Sequence, residues 1–241
     1  VQIAPKIVSI MSSILDNLQA VHAQIRSAAQ SATRDPARIT LLAVSKTFGA
    51  EAVLEAAQAG QRAFGENYLQ EAVDKITALR ASHPQYLLEW HFIGPIQSNK
   101  TRPIAEHFDW VHSVEREKIA QRLSDQRPEH LPPLNVCLQV NVSGEASKSG
   151  VAPDQVLSLA QAVAGMPRLK LRGLMAIPEP AADYEQQRVP FRQMRELFDT
   201  LRAGGLELDT LSMGMSADMQ AAIVEGATIV RVGTAIFGKR T

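Results

Sequence analysis

Apolar positions along the chain fall into two alternating kinds of segment. Short runs rich in Val, Ile and Leu, without clean alternation, occupy 39–46 (ITLLAVSK), 62–67 (RAFGEN), 89–94 (EWHFIG), 109–114 (DWVHSV), 134–141 (LNVCLQVN), 171–177 (LRGLMAI), 210–215 (TLSMGM) and 229–234 (IVRVGT). Runs of this kind suit strands covered on both faces. Between them lie stretches of helical period at 50–59, 67–80, 115–126, 153–164, 185–203 and 217–225, while 95–108 (PIQSNKTRPIAEHF) leaves room for only a short helix. Eight β units separated by helical crossovers predict an α/β fold, a (β/α)8 TIM barrel, in preference to an open doubly wound sheet. Ahead of them Ile7, Ile10, Ile14, Leu18, Val21 and Ile25 recur at steps of three and four, which predicts an extra N-terminal amphipathic helix. The Pro-containing stretches 126–135 and 176–190 are short and fall where loops belong, so residues 1–241 read as one domain.

Composition narrows the partners. Lys plus Arg is 25 and Asp plus Glu is 25, a balance that offers no field for nucleic acid or an anionic membrane. No apolar run reaches the roughly 18 residues that span a bilayer, and the N-terminus lacks an apolar stretch with a cleavage site. The single cysteine, Cys137, sits in an apolar run and reads as a small buried hydrophobe, in keeping with a cytoplasmic protein.

In such barrels binding and catalytic groups gather at the C-terminal ends of the strands. Polar residues collect there: Lys46, then Glu66 and Asn67, Ser113, Asn141, Ser212 to Ser216, and Arg231 to Thr234. A lysine at a strand end is commonly a solvated one. At a barrel mouth, however, partial desolvation disfavours the ammonium and leaves more free amine to attack a carbonyl. Gly233 and Thr234 open a loop after the last strand, and Gly214 and Ser216 precede a helix, an arrangement suited to a phosphate; Ser216 also reads as a simple helix cap. Arg231 should point inward with Gly233, toward either a ligand or a carboxylate such as Glu66. A ligand with a carbonyl, a ring nitrogen and a phosphate satisfies all of these groups, and pyridoxal 5'-phosphate (PLP) has them. His91 reads more readily as a core histidine than as an acid or base, and Trp90 and Trp110 as packing residues.

The segments LLAVSK, FGENYLQE, WHFIGPIQSNK, SKSG, LRGLMAIP, LSMGMSADMQAAI and VRVGTAIFG, in this order, closely resemble the pyridoxal phosphate homeostasis protein family from about residue 12 onward. The fold is similar to the barrel domain of alanine racemases. The resemblance implies that Lys46 bears PLP as a Schiff base and that Arg231 faces the pyridine nitrogen. It further implies that Ser216, Gly233 and Thr234 hold the phosphate with Ser212 and Met213 nearby, that Asn67 lines the pocket, and that Lys148 helps move the cofactor. The chain stops seven residues after Thr234, which leaves no room for the second domain of the racemases. A monomeric cofactor carrier serving PLP-dependent apo-enzymes is therefore expected, without robust turnover. The alternatives are a PLP-dependent racemase or decarboxylase of narrow range and a cofactor-free class I aldolase.

Overall fold

The computed structural model describes residues 5–144 and 149–238, with side chains from Ile14 onward. Eight parallel strands close into a barrel in chain order: β1 (Thr40–Val44), β2 (Ala63–Glu66), β3 (Glu89–Phe92), β4 (Trp110–Val114), β5 (Leu134–Gln139), β6 (Leu169–Met175), β7 (Thr210–Ser212) and β8 (Ile229–Val232). The crossover helices are α2 (Ala50–Gln58), α3 (Leu69–Ser82), α4 (Thr101–His107), α5 (Glu117–Gln126), α6 (Val156–Ala164), α7 (Tyr184–Ala203) and α8 (Met219–Val224). A single turn, α9 (Thr234–Phe237), follows the last strand, and the long α1 (Pro5–Ser31) precedes the first. This is the α/β barrel with an added N-terminal helix that the pattern predicts.

Most strands end earlier than their sequence runs. The residues left over, such as Ser45 and Lys46 or Gly233 and Thr234, leave the ladder and form the loops of the mouth. Strand β6 differs at its other end, starting at Leu169, two residues before the predicted run.

Alternation along each strand sorts the core into two regions. Outward residues such as Leu41, Ala43, Phe64, Trp90, Phe92, Val111, Leu211, Val230 and Val232 pack with the helices in one large cluster. The barrel interior holds two small clusters, Leu42 with Ala63 and Ile229, and Trp110 with Cys137 and Met175. Between them lie His91, His112, Ser212 and Arg231, all buried. On α1, Ile14, Leu18, Val21 and Ile25 are buried against α2, α8 and α9, so the helix seals the seam between the last and first units. Burial of each such side chain contributes about 1.5–3 kcal/mol. The side chains of Ile7 and Ile10 lie outside the described residues.

A candidate cofactor site at the C-terminal mouth of the barrel

Leu42 points into the barrel, and its phase carries through Val44 to Lys46, which the loop leaves half-buried at the mouth. The residues on either side are clamped from the opposite face. Ser45 Oγ donates to Glu66 Oε1 at 2.6 Å, and Thr47 N–H donates to Glu71 Oε1 at 2.7 Å. Lys75 of α3 ties these together, donating to Glu66 at 2.6 Å, to Glu71 at 3.1 Å and to the Ser45 carbonyl at 3.0 Å. Thr47 adopts φ 69°, a left-handed conformation that costs a β-branched residue on the order of 1–3 kcal/mol. The Glu71 bond offsets part of that cost and turns the chain sharply after Lys46. Glu66 is fully buried, and burial raises its carboxyl above the usual range against the pull of Lys75. Glu66 was expected at the mouth, but Glu71 and Lys75 escaped sequence reasoning; the signal was their i and i+4 spacing on a helix that follows directly on Glu66.

Strand β8 lies between β7 and β1, so the residues that follow β1, β2, β7 and β8 face a common opening. Arg231, buried in the barrel interior, donates from Nη1 to the carbonyl and hydroxyl oxygens of Ser212 at 2.8 and 2.9 Å, and from Nη2 to the Ala176 carbonyl at 2.9 Å. The alternative of an Arg231–Glu66 pair is excluded: Glu66 faces outward to Lys75, while Arg231 faces inward. Among the described residues no carboxylate forms an ion pair with Arg231. Burial brings its guanidinium down to about 10, with Asp218 and Cys137 acting in the opposite direction.

Other expected groups take varied places. Met213 is fully buried in the outer cluster, so only its backbone is turned to the mouth. Ser216 is exposed in the turn before α8 and is not its cap, because the helix starts two residues later than predicted and Asp218 occupies the cap position. Asp218 instead accepts the Met215 N–H at 2.6 Å, which folds the 215–218 turn back on itself. Gly233 precedes α9; a Cβ there would come within 3.1 Å of the Val44 carbonyl, so the loop lies close against β1. Thr234 is exposed beside it. The Asn67 side-chain oxygen is buried and has no hydrogen-bond partner among the described residues. Lys148 lies outside the described residues. A half-buried amine, an inward guanidinium with no paired carboxylate, an orphaned amide oxygen and loop backbone at two strand ends fit a ligand that carries a carbonyl, a heteroaromatic ring and an anionic group.

Burial also fixes the residues below the mouth. His91 has no exposed surface and stacks on Trp110 with ring centroids 5.3 Å apart, while Trp90 packs outward on Phe64. Cys137 is buried inside the barrel, and its thiol is pushed far up by desolvation. A cavity of about 870 Å³ opens at the other end of the barrel, near Thr40, Glu89 and Thr210 at the strand starts. Its residues are not those at the strand ends, and the chemistry described above lies away from it. No group of His, Cys, Asp and Glu suited to a metal occurs among the described residues, and no described helix is long and apolar enough to cross a membrane.

Comparison with known proteins places this geometry in context. The alanine racemase N-terminal domain profile matches residues 17–241. A pyridoxal phosphate homeostasis protein of Pseudomonas aeruginosa is 66% identical over 95% of this chain and 97% of its own length. Its counterpart in Vibrio cholerae is 60% identical over 95% and 98%. Among solved structures, PipY of Synechococcus elongatus with PLP bound superposes with a TM-score of 0.81 at 36% identity, covering 93% of this chain and all (100%) of that one. An alanine racemase of Corynebacterium glutamicum, 19% identical with a TM-score of 0.65, shares the barrel; the match covers 94% of this chain and 60% of that one.

Proposed function

Because this chain belongs to the pyridoxal phosphate homeostasis protein family, we propose that it binds PLP as a Schiff base on Lys46. Its role is to store the cofactor and deliver it to apo-enzymes in the cytoplasm, acting as a monomer and single domain, without robust turnover of its own. The observation that carries this reading is the inward phase of Lys46, held between two clamped neighbours, opposite an Arg231 that no carboxylate neutralises among the described residues.

When bound, PLP supplies a reactive aldehyde and an electron-withdrawing ring. The protein's own groups do the rest. Lys46 offers its amine from a half-buried position at the mouth. Arg231, a donor only, would hold the ring nitrogen without a proton and so keep the ring a weak electron sink, which suits a carrier. The backbone around Ser216, Gly233 and Thr234, with Ser212 and Met213 behind it, would receive the phosphate, and Asn67 would use its orphaned oxygen in the pocket. Lys148 is assigned to cofactor transfer on the strength of the family resemblance.

Reduction with borohydride after loading with PLP, followed by peptide mapping, tests the site. The expected adduct is on Lys46, with no stable colour in Lys46→Ala. An adduct confined to another lysine would overturn the reading. The shared barrel of alanine racemase supports a second reading, a narrow racemase or decarboxylase. Sustained conversion of any amino acid, lost in Lys46→Ala, would establish it and exclude a pure carrier.

A further inference from the structure

A line of hydrogen bonds crosses the barrel, and three of its members, Glu89, His91 and His112, play no part in the function above. It begins at Glu89, whose side chain is 48% exposed on the wall of the cavity at the strand starts. Glu89 Oε1 lies 2.8 Å from His91 Nε2, His91 Nδ1 lies 2.9 Å from His112 Nε2, and His112 Nδ1 lies 2.8 Å from Ser212 Oγ. The last link is the 2.9 Å bond from Arg231 Nη1 to that same Oγ. His91, His112 and Ser212 have no exposed surface, so water does not substitute for any link.

With His91 neutral, the two ends fix the direction of every bond. An ionised carboxylate only accepts, and a guanidinium only donates. His91 therefore donates from Nε2, which leaves Nδ1 of its neutral ring as an acceptor. His112 must then donate from Nε2 and accept at Nδ1 from the Ser212 hydroxyl, whose oxygen accepts from Arg231. Each group is then satisfied, with both rings as Nε2–H tautomers. The charges around the line favour an ionised Glu89 and an uncharged His112. Glu89 is held below the usual carboxylate range by its bond to His91, with Trp110 and Arg172 adding to the effect. Burial pushes His112 well below the usual imidazole range, aided by His91 and Arg231. Asp109 faces His91 from the start of β4, and Asp218 and Cys137 face Arg231.

We propose that Glu89, His91 and His112 are positioning residues for Arg231, acting through Ser212, and that together they form an acid-sensitive switch. When the line takes up one proton, the His112 Nε2 hydrogen passes to His91 Nδ1, and His91 becomes the doubly protonated ring beside Glu89. The Ser212 hydroxyl hydrogen passes to His112 Nδ1, and the entering proton takes its place on Ser212 Oγ. Ser212 Oγ now accepts from both His112 and Arg231, and its own hydroxyl hydrogen turns away. The count balances: one proton enters and one tautomer exchanges, and the hydrogen that Ser212 turns out lies beside the guanidinium.

The line itself is read without any cofactor; only its consequence at the mouth rests on the proposed function. Nitrogen-15 NMR of histidine-labelled apo-protein should show both rings as neutral Nε2–H tautomers at neutral pH. As pH falls the two should change together at one midpoint. Glu89→Gln keeps the acceptor on His91 but removes the charge, and should move that midpoint by at least tenfold in proton concentration toward acid. An Nδ1–H tautomer on either ring at neutral pH, separate midpoints, or a midpoint unmoved by Glu89→Gln would each overturn the proposal. In PLP-loaded protein the cofactor absorption should follow the same midpoint, and the same displacement in Glu89→Gln; an absorption that ignores it removes Arg231 as the readout. Protein that takes up no PLP overturns the Lys46 reading alone, because the NMR result still decides the switch.

Discussion

Replacing Lys75 with Met tests the clamp behind Lys46 most directly. Met keeps the length of the side chain along α3 but removes the cation that serves Glu66, Glu71 and the Ser45 carbonyl. Glu66 has no exposure, and its Oε2 already lacks a partner among the described residues, so the variant leaves it only the Ser45 hydroxyl. Breaking a buried pair by deleting one partner costs about 3–5 kcal/mol. The Glu71 contact adds little, since that side chain is 35% exposed. Against a total stability of about 5–15 kcal/mol the loss is large. Its pH dependence carries the sign. The folded Glu66 carboxyl lies above its unfolded value because of burial, and without Lys75 it rises further. A raised acid gives its full stability below the unfolded value and loses it as pH rises through the folded one. The deficit of Lys75→Met relative to the parent is therefore largest at neutral pH and shrinks on acidification. Urea unfolding of both proteins at two pH values measures this. A deficit below about 1 kcal/mol, or one equal at both pH values, would refute the buried-pair reasoning. A Glu66→Met/Lys75→Met double variant should recover much of the loss, because neither charge is then stranded.

Other outcomes follow from single contacts. Gly173→Ala places a Cβ against the Thr210 backbone, so β6 and β7 must separate; it should destabilise by about 3 kcal/mol or more in urea unfolding. Arg127→Leu strands the carbonyls of Ala105, Phe108 and Pro132, to which Arg127 donates at 2.7 to 2.9 Å, and should cost about 2–4 kcal/mol in the same assay. Cys137, buried with its thiol pushed up, should resist thiol reagents at neutral pH until urea unfolds the chain; prompt labelling of native protein would contradict its place inside the barrel.

The barrel was legible because its information is local. Each strand announces itself by a short apolar run, most crossovers by their period, and alternation alone sets Leu42, Lys46 and Arg231 on the inner face. Groups whose role depends on partners distant in the chain were harder to read. Lys75 resembles any helix-surface lysine paired with a glutamate one turn away, and only the docking of α3 behind β1 and β2 turns it into a buried cation 3% exposed. His112 drew no notice because its partners, His91 and Ser212, lie 21 and 100 residues away. The alternative reading of Ser216 as a cap fails for a local reason: a serine ahead of a helical run looks like a cap, yet the turn at 216–218 delays the helix and gives the cap position to Asp218.

The same alternation explains why a buried ion pair sits directly behind the mouth. Ser45 and Lys46 occupy adjacent positions on opposite faces of β1's extension, and a one-residue slip would exchange them. Lys46 would then enter the outer pocket, where the fully buried Glu66 would be a strong competitor for an ammonium. Lys75 already fills that pocket, and the left-handed turn at Thr47, fastened to Glu71, resists the shift. A buried pair of this kind contributes little net stability compared with apolar packing. Its value here lies in register, because it keeps the one amine at the end of β1 facing inward.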